Sequence, residues 1–266
     1  MLTRFMSAPR LRMRLKWLLL CAMGLAAVFV LQFLVKHSVE RGHVWTTHIV
    51  AQSPEVWDWV HTNGQQMGPG GIWKYGANML SAGTVKYVTA QPRYERLVDM
   101  SCSVGIVLSA LQQNNPAAEH FGSDISRVMV NETRHRCPRS HAAQFDLGRF
   151  RQPAGDTVDY VFPGTFDYVI ISDVLIYIAW GGWPPLLLRW CAPCRHMALG
   201  EQRRWLDRVK ALTRREIVFS SHQNNPIAIE MLTALGAKLI GNEKTALWDL
   251  VYTINGTAAV SSAPSR

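Results

Sequence analysis

The first 39 residues of the chain contain no aspartate or glutamate. An acid-free, arginine-bearing start is the pattern of a tail that flanks a membrane or of a mitochondrial presequence. No low-complexity or Pro/Ser-rich stretch divides the remainder, and no internal repeat is found, which excludes a repeat array and a linker between domains. With 266 residues in all, removal of a tail of ~40 leaves enough for one domain with a sizeable core. Cysteine is sparse: Cys21, Cys102, Cys137, Cys191 and Cys194. Cys191-Ala-Pro-Cys194 has no second pair at metal spacing. It is compatible with a disulfide, a redox pair or half of a zinc site with His196 or Cys137, and no metal is expected. A G-x-G-x-x-G run is also missing, which counts against a dinucleotide oxidoreductase.

Charge is present but unevenly placed. The net charge is +9, and residues 1–41 hold seven Lys/Arg against the single acid Glu40. The rest carries 21 basic and 18 acidic residues, so it is only mildly basic and no nucleic acid is expected as a partner. The local groups Arg134, Arg136, Arg139 and Arg203, Arg204, Arg208 read as solvated helix faces. Residues 17–35 are apolar apart from Gln32, and at ~1.5 Å per residue they match the hydrocarbon thickness of a bilayer. Five basic residues precede this run. The expectation is a basic tail over 1–16, a single transmembrane anchor over 17–35 with its N-terminus in the cytosol, and a domain in the lumen of the endoplasmic reticulum or Golgi. The mitochondrial inner membrane is the alternative. Two glycosylation sequons, Asn131-Glu-Thr and Asn255-Gly-Thr, matter only in the first compartment.

Residues 36–90 read as a linker with helices that cover the site. Spacing predicts a helix over 54–61, a Gly-rich break over 64–71 and an interrupted helix over 73–88. From residue 91 the pattern becomes regular. Strands are predicted over 96–102, 119–125, 140–145, 166–172 and 216–221, and helices over 106–113, 127–135, 199–212 and 226–235. Segments 237–241 and 246–254 read as two strands with a turn too short for a helix, hence an antiparallel hairpin. The fold class is α/β: a doubly wound, mostly parallel seven-stranded sheet closed by a C-terminal hairpin with a reversed edge strand, over 91–256, then a flexible tail over 257–266.

In such a sheet, ligands bind beyond the C-terminal strand ends. The first strand runs into Asp99-Met-Ser101-Cys102-Ser103-Val-Gly105, whose small residues permit close approach of backbone to ligand. The second ends in Asp124-Ile125, placed to accept ribose hydroxyls. The third ends in Asp146-Leu147 on the adenine side, and the fourth in Ser172-Asp173 on the reaction side.

At these positions the chain resembles the class I S-adenosylmethionine-dependent methyltransferases. Asp99, Cys102 and Gly105 match the first motif, with Ser101 and Ser103 where its first two glycines stand. A serine held at positive φ costs on the order of 1 kcal/mol. Asp124, Asp146 and the 166–175 segment match the following motifs, and residues 70–78, with Gly76, resemble a segment folded over the methionine end of the cofactor. The resemblance spans residues 73–254. It implies S-adenosyl-L-methionine as cofactor, held by Gly76, Asp99, Ser101, Cys102, Ser103, Gly105, Asp124, Ile125, Asp146, Leu147 and Ser172. Asp173 is the catalytic candidate, ahead of Tyr177, His196 and His222. The implied activity is methyl transfer to an oxygen or nitrogen of a small molecule, glycan or protein. A non-catalytic, membrane-tethered binding or assembly protein is the alternative. Residues 180–194, rich in Trp and Pro, are expected to form a substrate wall or to lie against the membrane.

Overall fold

The computed structural model describes residues 82–148, 150, 162–172, 192–222, 226–243 and 249–257, with residues 24, 27, 54, 55, 57, 58 and 62 singly. The chain divides into two compact units, Met1–Thr47 and His48–Arg266. The expected anchor lies outside the described residues except Gly24 and Ala27, which are helical. Among the described residues no helix is long and apolar enough to cross a membrane.

The second unit alternates strands and helices. In chain order they are α1 (Ala82–Thr89), β1 (Arg96–Asp99), α2 (Ile106–Asn114), β2 (Glu119–Asp124), α3 (Arg127–Arg136), β3 (His141–Gln144), β4 (Phe166–Ser172), α4 (Ala192–Ala211), β5 (Thr213–His222), α5 (Pro226–Ala234), β6 (Lys238–Glu243) and β7 (Asp249–Asn255). They build one seven-stranded sheet in the order β3-β2-β1-β4-β5-β7-β6. β1 to β5 run parallel, and β7 is antiparallel to both β5 and β6.

Side-chain alternation divides the core into two layers. Val98, Val169, Ile171, Ile217, Phe219, Leu250, Tyr252 and Ile254 face one side with Trp205, Leu206 and Val209 of α4 and Leu232 of α5. Leu97, Tyr168, Ile170, Val218 and Val251 face the other, with Val88 of α1 and Val107, Leu108 and Leu111 of α2. Strands buried on both faces must be apolar at successive positions, and the body of β4 is: Tyr168, Val169, Ile170 and Ile171 are all buried. Removing one such side chain, as in Ile170→Ala, costs ~2–5 kcal/mol through lost transfer energy and the cavity left behind.

The hairpin forms as the sequence predicts, but its reversed strand is not at the edge. Five residues separate β6 from β7, too few for a crossover helix, so the two must be antiparallel. The composition then decides which is inside. β7 buries Leu250, Val251, Tyr252 and Ile254 on both faces, whereas β6 carries a glycine and Leu239, which is 49% exposed. The edge therefore goes to β6, and β7 fills the gap beside β5.

Smaller departures are local. α4 begins seven residues before the expected 199, at Ala192, and β5 starts at Thr213 rather than 216. Pro54, Glu55, Trp57, Asp58 and Thr62 are helical, and the helix predicted over 73–88 is described only as α1.

Candidate functional site

β1 lies between β2 and β4. The chain winds outward through β2 and β3 on one side, then through β4 and β5 on the other, so the switch point of the sheet is at the C-terminal end of β1. The loop 100–105 leaves there and is tied to both neighbours. The Met100 N–H donates to the Ile170 carbonyl on β4 at 2.9 Å, and the Cys102 N–H to the Ser123 carbonyl on β2 at 2.9 Å. Cys102 and Gly105 are buried, while Ser101, Ser103 and Val104 keep part of their surface open.

Two carboxyls sit under this loop. Asp99, 1% exposed, accepts the Ser101 N–H at 3.1 Å. Burial pushes its carboxyl up to about 7, against the pull of the Ser101 N–H and with the Asp124 charge adding to the rise. Asp124, at the end of β2, keeps some open surface. One of its oxygens accepts the Ser126 N–H at 2.9 Å and the other the Ser103 N–H at 3.0 Å. Burial pushes it up to about 6, opposed by those N–H groups and assisted by Asp58. The Ile125 N–H also favours the charged form, and with about four lone-pair positions on a carboxylate part of the acceptor capacity stays open. That is the acceptor set a vicinal diol requires.

The loop conformation is fixed from α3 and α2. The Thr133 hydroxyl donates to the Ser103 carbonyl at 2.6 Å and lies 3.4 Å from the Cys102 sulfur. Ser103 adopts φ 48°, in the left-handed region, and its hydroxyl contacts the Met129 sulfur at 3.7 Å. Gly105 has φ 76° and caps α2, and a Cβ there would lie 3.0 Å from Thr133 Cγ2, so glycine is required twice over. Ser101 is not among the positive-φ residues. Of Ser101 and Ser103, only Ser103 carries backbone strain. Ser101 instead uses its hydroxyl, which accepts the Ser172 N–H at 2.7 Å.

No protein-family profile matches the chain, and no curated protein matches it in sequence. Solved structures of similar chain path include methyltransferases. A TehB-like SAM-dependent methyltransferase from Corynebacterium glutamicum is 14% identical, with 65% of this chain and 85% of that one covered and a TM-score of 0.39. A SAM-dependent methyltransferase from Aquifex aeolicus is 10% identical, covering 68% and 93%, with a TM-score of 0.44. Human N-acetylserotonin methyltransferase in complex with SAM is 12% identical, covering 70% and 53%, with a TM-score of 0.42.

Of the residues singled out in the sequence, Asp99, Ser101, Cys102, Ser103, Gly105, Asp124 and Ser172 come together around the end of β1 through the bonds above. Ile125 follows Asp124, and its carbonyl accepts Gln144 Nε2 at 2.8 Å. Asp146 and Leu147 follow β3, whose end is joined to β2 by the Phe145 N–H to Asp124 carbonyl bond at 2.8 Å. Both are buried, and the Trp205 indole N–H donates to the Leu147 carbonyl at 2.9 Å. Gly76, Asp173, Tyr177 and Cys191 lie outside the described residues, as do the side chains of Cys194, His196 and His222. Burial pushes the Cys102 thiol well above its ordinary value and raises that of Cys137, which leaves both poor nucleophiles. Among the described residues no three potential ligands cluster as a metal site.

Four residues that hold the site were not read from the sequence: Asp58, Ser126, Thr133 and Trp205. Ser126 carries a usable signal, a serine before an amphipathic helix, and it caps α3 by accepting the Met129 N–H. Its hydroxyl in turn donates to Asp58 at 2.7 Å, and the same Asp58 oxygen accepts the Val128 N–H at 3.2 Å. Thr133 in mid-helix, Asp58 some 70 residues upstream and Trp205 carry none, because only the folded chain brings them to the loop.

Proposed function

We propose that the chain binds S-adenosyl-L-methionine across the ends of β1, β2 and β3 and transfers its methyl group to an oxygen or nitrogen acceptor. The observation that carries the reading is the Asp124 carboxylate, oriented by two backbone N–H groups beside a small-residue loop at the switch point. In this reading Asp124 accepts the ribose hydroxyls with the lone pairs left open. Asp146, Leu147 and Ile125 flank the adenine. Ser101, Ser103 and Gly105 let the backbone approach the methionine end, with Cys102 packed beneath them, and Asp99 holds the loop through Ser101. Bound S-adenosylmethionine supplies a sulfonium methyl group open to displacement by a nucleophile. Asp173, one residue beyond β4, is proposed to orient an acceptor amine or to take the proton of an acceptor hydroxyl, with Gly76 closing over the site.

The test is calorimetric titration of the full chain in detergent with S-adenosylmethionine and with S-adenosylhomocysteine. Binding of both, lost in Asp124→Ala, is the expected result. No binding of either at millimolar concentration overturns the reading, and binding without transfer to any acceptor leaves a tethered binding protein.

We propose further that residues 17–35 tether this domain to a membrane with the N-terminus cytosolic. Asn131 on α3 and Asn255 at the end of β7 are both exposed, which suits modification in a secretory lumen. Sensitivity of the cellular protein to a glycosidase supports that compartment; resistance together with import into mitochondria replaces it.

A further inference from the structure

β4 pairs with β1 through Leu97↔Tyr168, Val98↔Val169 and Asp99↔Ile170, and the Met100 N–H reaches the Ile170 carbonyl. Residue 172 lies two positions further along β4, so its N–H points to the same side as the backbone groups of Ile170. By then the first strand has ended, and no backbone carbonyl of the loop takes that donor. The Ser101 hydroxyl does, at 2.7 Å, while the Ser101 N–H is itself held by Asp99 at 3.1 Å. Glycine at 101 has no such acceptor, and the backbone at 101 does not need glycine's freedom.

We infer that Ser101 is a positioning residue: its hydroxyl is a strut between the loop 100–105 and the end of β4, fixing the loop in its binding conformation before the ligand arrives. The ligand half of this inference rests on the S-adenosylmethionine reading above. Two serines stand where the resembled family has glycines, and they do different things. Ser103 occupies a left-handed conformation that glycine adopts more easily. Ser101 makes a bond that glycine cannot. The consequence runs against pattern: installing glycine at 101 weakens the site.

The experiment compares Ser101→Gly, Ser101→Ala, Ser101→Thr and Ser103→Gly in the full chain. The first readout is hydrogen exchange at the Ser172 amide without ligand; the second is the calorimetric Kd for S-adenosylhomocysteine. Ser101→Gly and Ser101→Ala are expected to expose the amide and to weaken binding ~5–10-fold, the equivalent of one net hydrogen bond. Ser101→Thr, which retains the hydroxyl, restores both. Ser103→Gly leaves the Ser172 amide protected. Unchanged protection in Ser101→Gly overturns the strut, and exposure with unchanged or tighter binding overturns its role in the site. If the unaltered protein binds no S-adenosylhomocysteine, the cofactor reading fails while the exchange measurement still decides the strut.

Discussion

The backbone N–H of Ser103 and the carboxylate of Asp124 are 3.0 Å apart, and this bond joins the loop after β1 to the end of β2. The other Asp124 oxygen holds the Ser126 N–H. Asp124→Ala leaves both donors without their acceptor. We expect a loss of ~2–4 kcal/mol in denaturant unfolding, beyond the loss of ligand binding. Asp124→Asn retains one oxygen and should lose about half as much. Equal stability of the alanine variant and the parent would show that the loop does not depend on this carboxylate.

The pH dependence of stability follows from Asp99 and Asp124. Both are raised above the ordinary aspartate value, to about 7 and about 6, chiefly by burial. A raised carboxyl stabilises the fold fully below its unfolded value, near 4, and that contribution is lost as pH climbs through the folded value. The ligand-free protein should therefore unfold at a higher temperature at pH 5 than at pH 8. Asp99→Asn, which keeps an acceptor for Ser101, should flatten the slope. Calorimetric scans across this range check it, and a rise in stability toward pH 8 contradicts it.

Ligand affinity should run the opposite way. Protonation of Asp124 removes acceptor capacity that a diol uses, so the Kd for S-adenosylhomocysteine should rise as pH falls below about 6. Titrations in buffers of different ionisation enthalpy should detect proton release on binding between pH 5 and 7. An affinity independent of pH there would place the diol elsewhere.

Thr133 is fully buried and bonded to the Ser103 carbonyl. Thr133→Val conserves shape and removes the hydroxyl donor, leaving the Ser103 carbonyl with only the weak Cys102 thiol donor at 3.8 Å. The expected cost is ~1–3 kcal/mol, with faster amide exchange in the loop 100–105.

Gly122 tests the packing beneath the loop. A Cβ there would lie 2.6 Å from Leu108 Cδ1 and 3.2 Å from the Cys102 sulfur, and Leu108 is fully buried. Gly122→Ala should cost ~1–3 kcal/mol and displace Cys102. A variant as stable as the parent would mean that Leu108 finds another rotamer.

The central strands of the sheet were legible because β1 and β4 hold apolar runs closed by a small or acidic residue, and β4 was read to the residue as 166–172. Asp99 and Asp124 were placed within strands predicted over 96–102 and 119–125, and the structure closes β1 and β2 at these two acids. What stayed hidden was long-range. The place of β7 depends on which hairpin strand buries both faces, a comparison between strands and not a local pattern. The split in behaviour between Ser101 and Ser103 depends on φ and on Ser172, 71 residues away. Asp58 reaches Ser126 across 68 residues for the same kind of reason.

The interior position of β7 has a consequence for how the chain is made. Until synthesis has passed Asn255, β5 has an uncovered edge of backbone donors and acceptors and β6 has no neighbour to pair with. An open apolar strand edge is a template for pairing with another chain. During translation this protein is therefore exposed to misassembly until β7 is made, and a stop before 249 would remove the wedge between β5 and β6 and not merely trim an end.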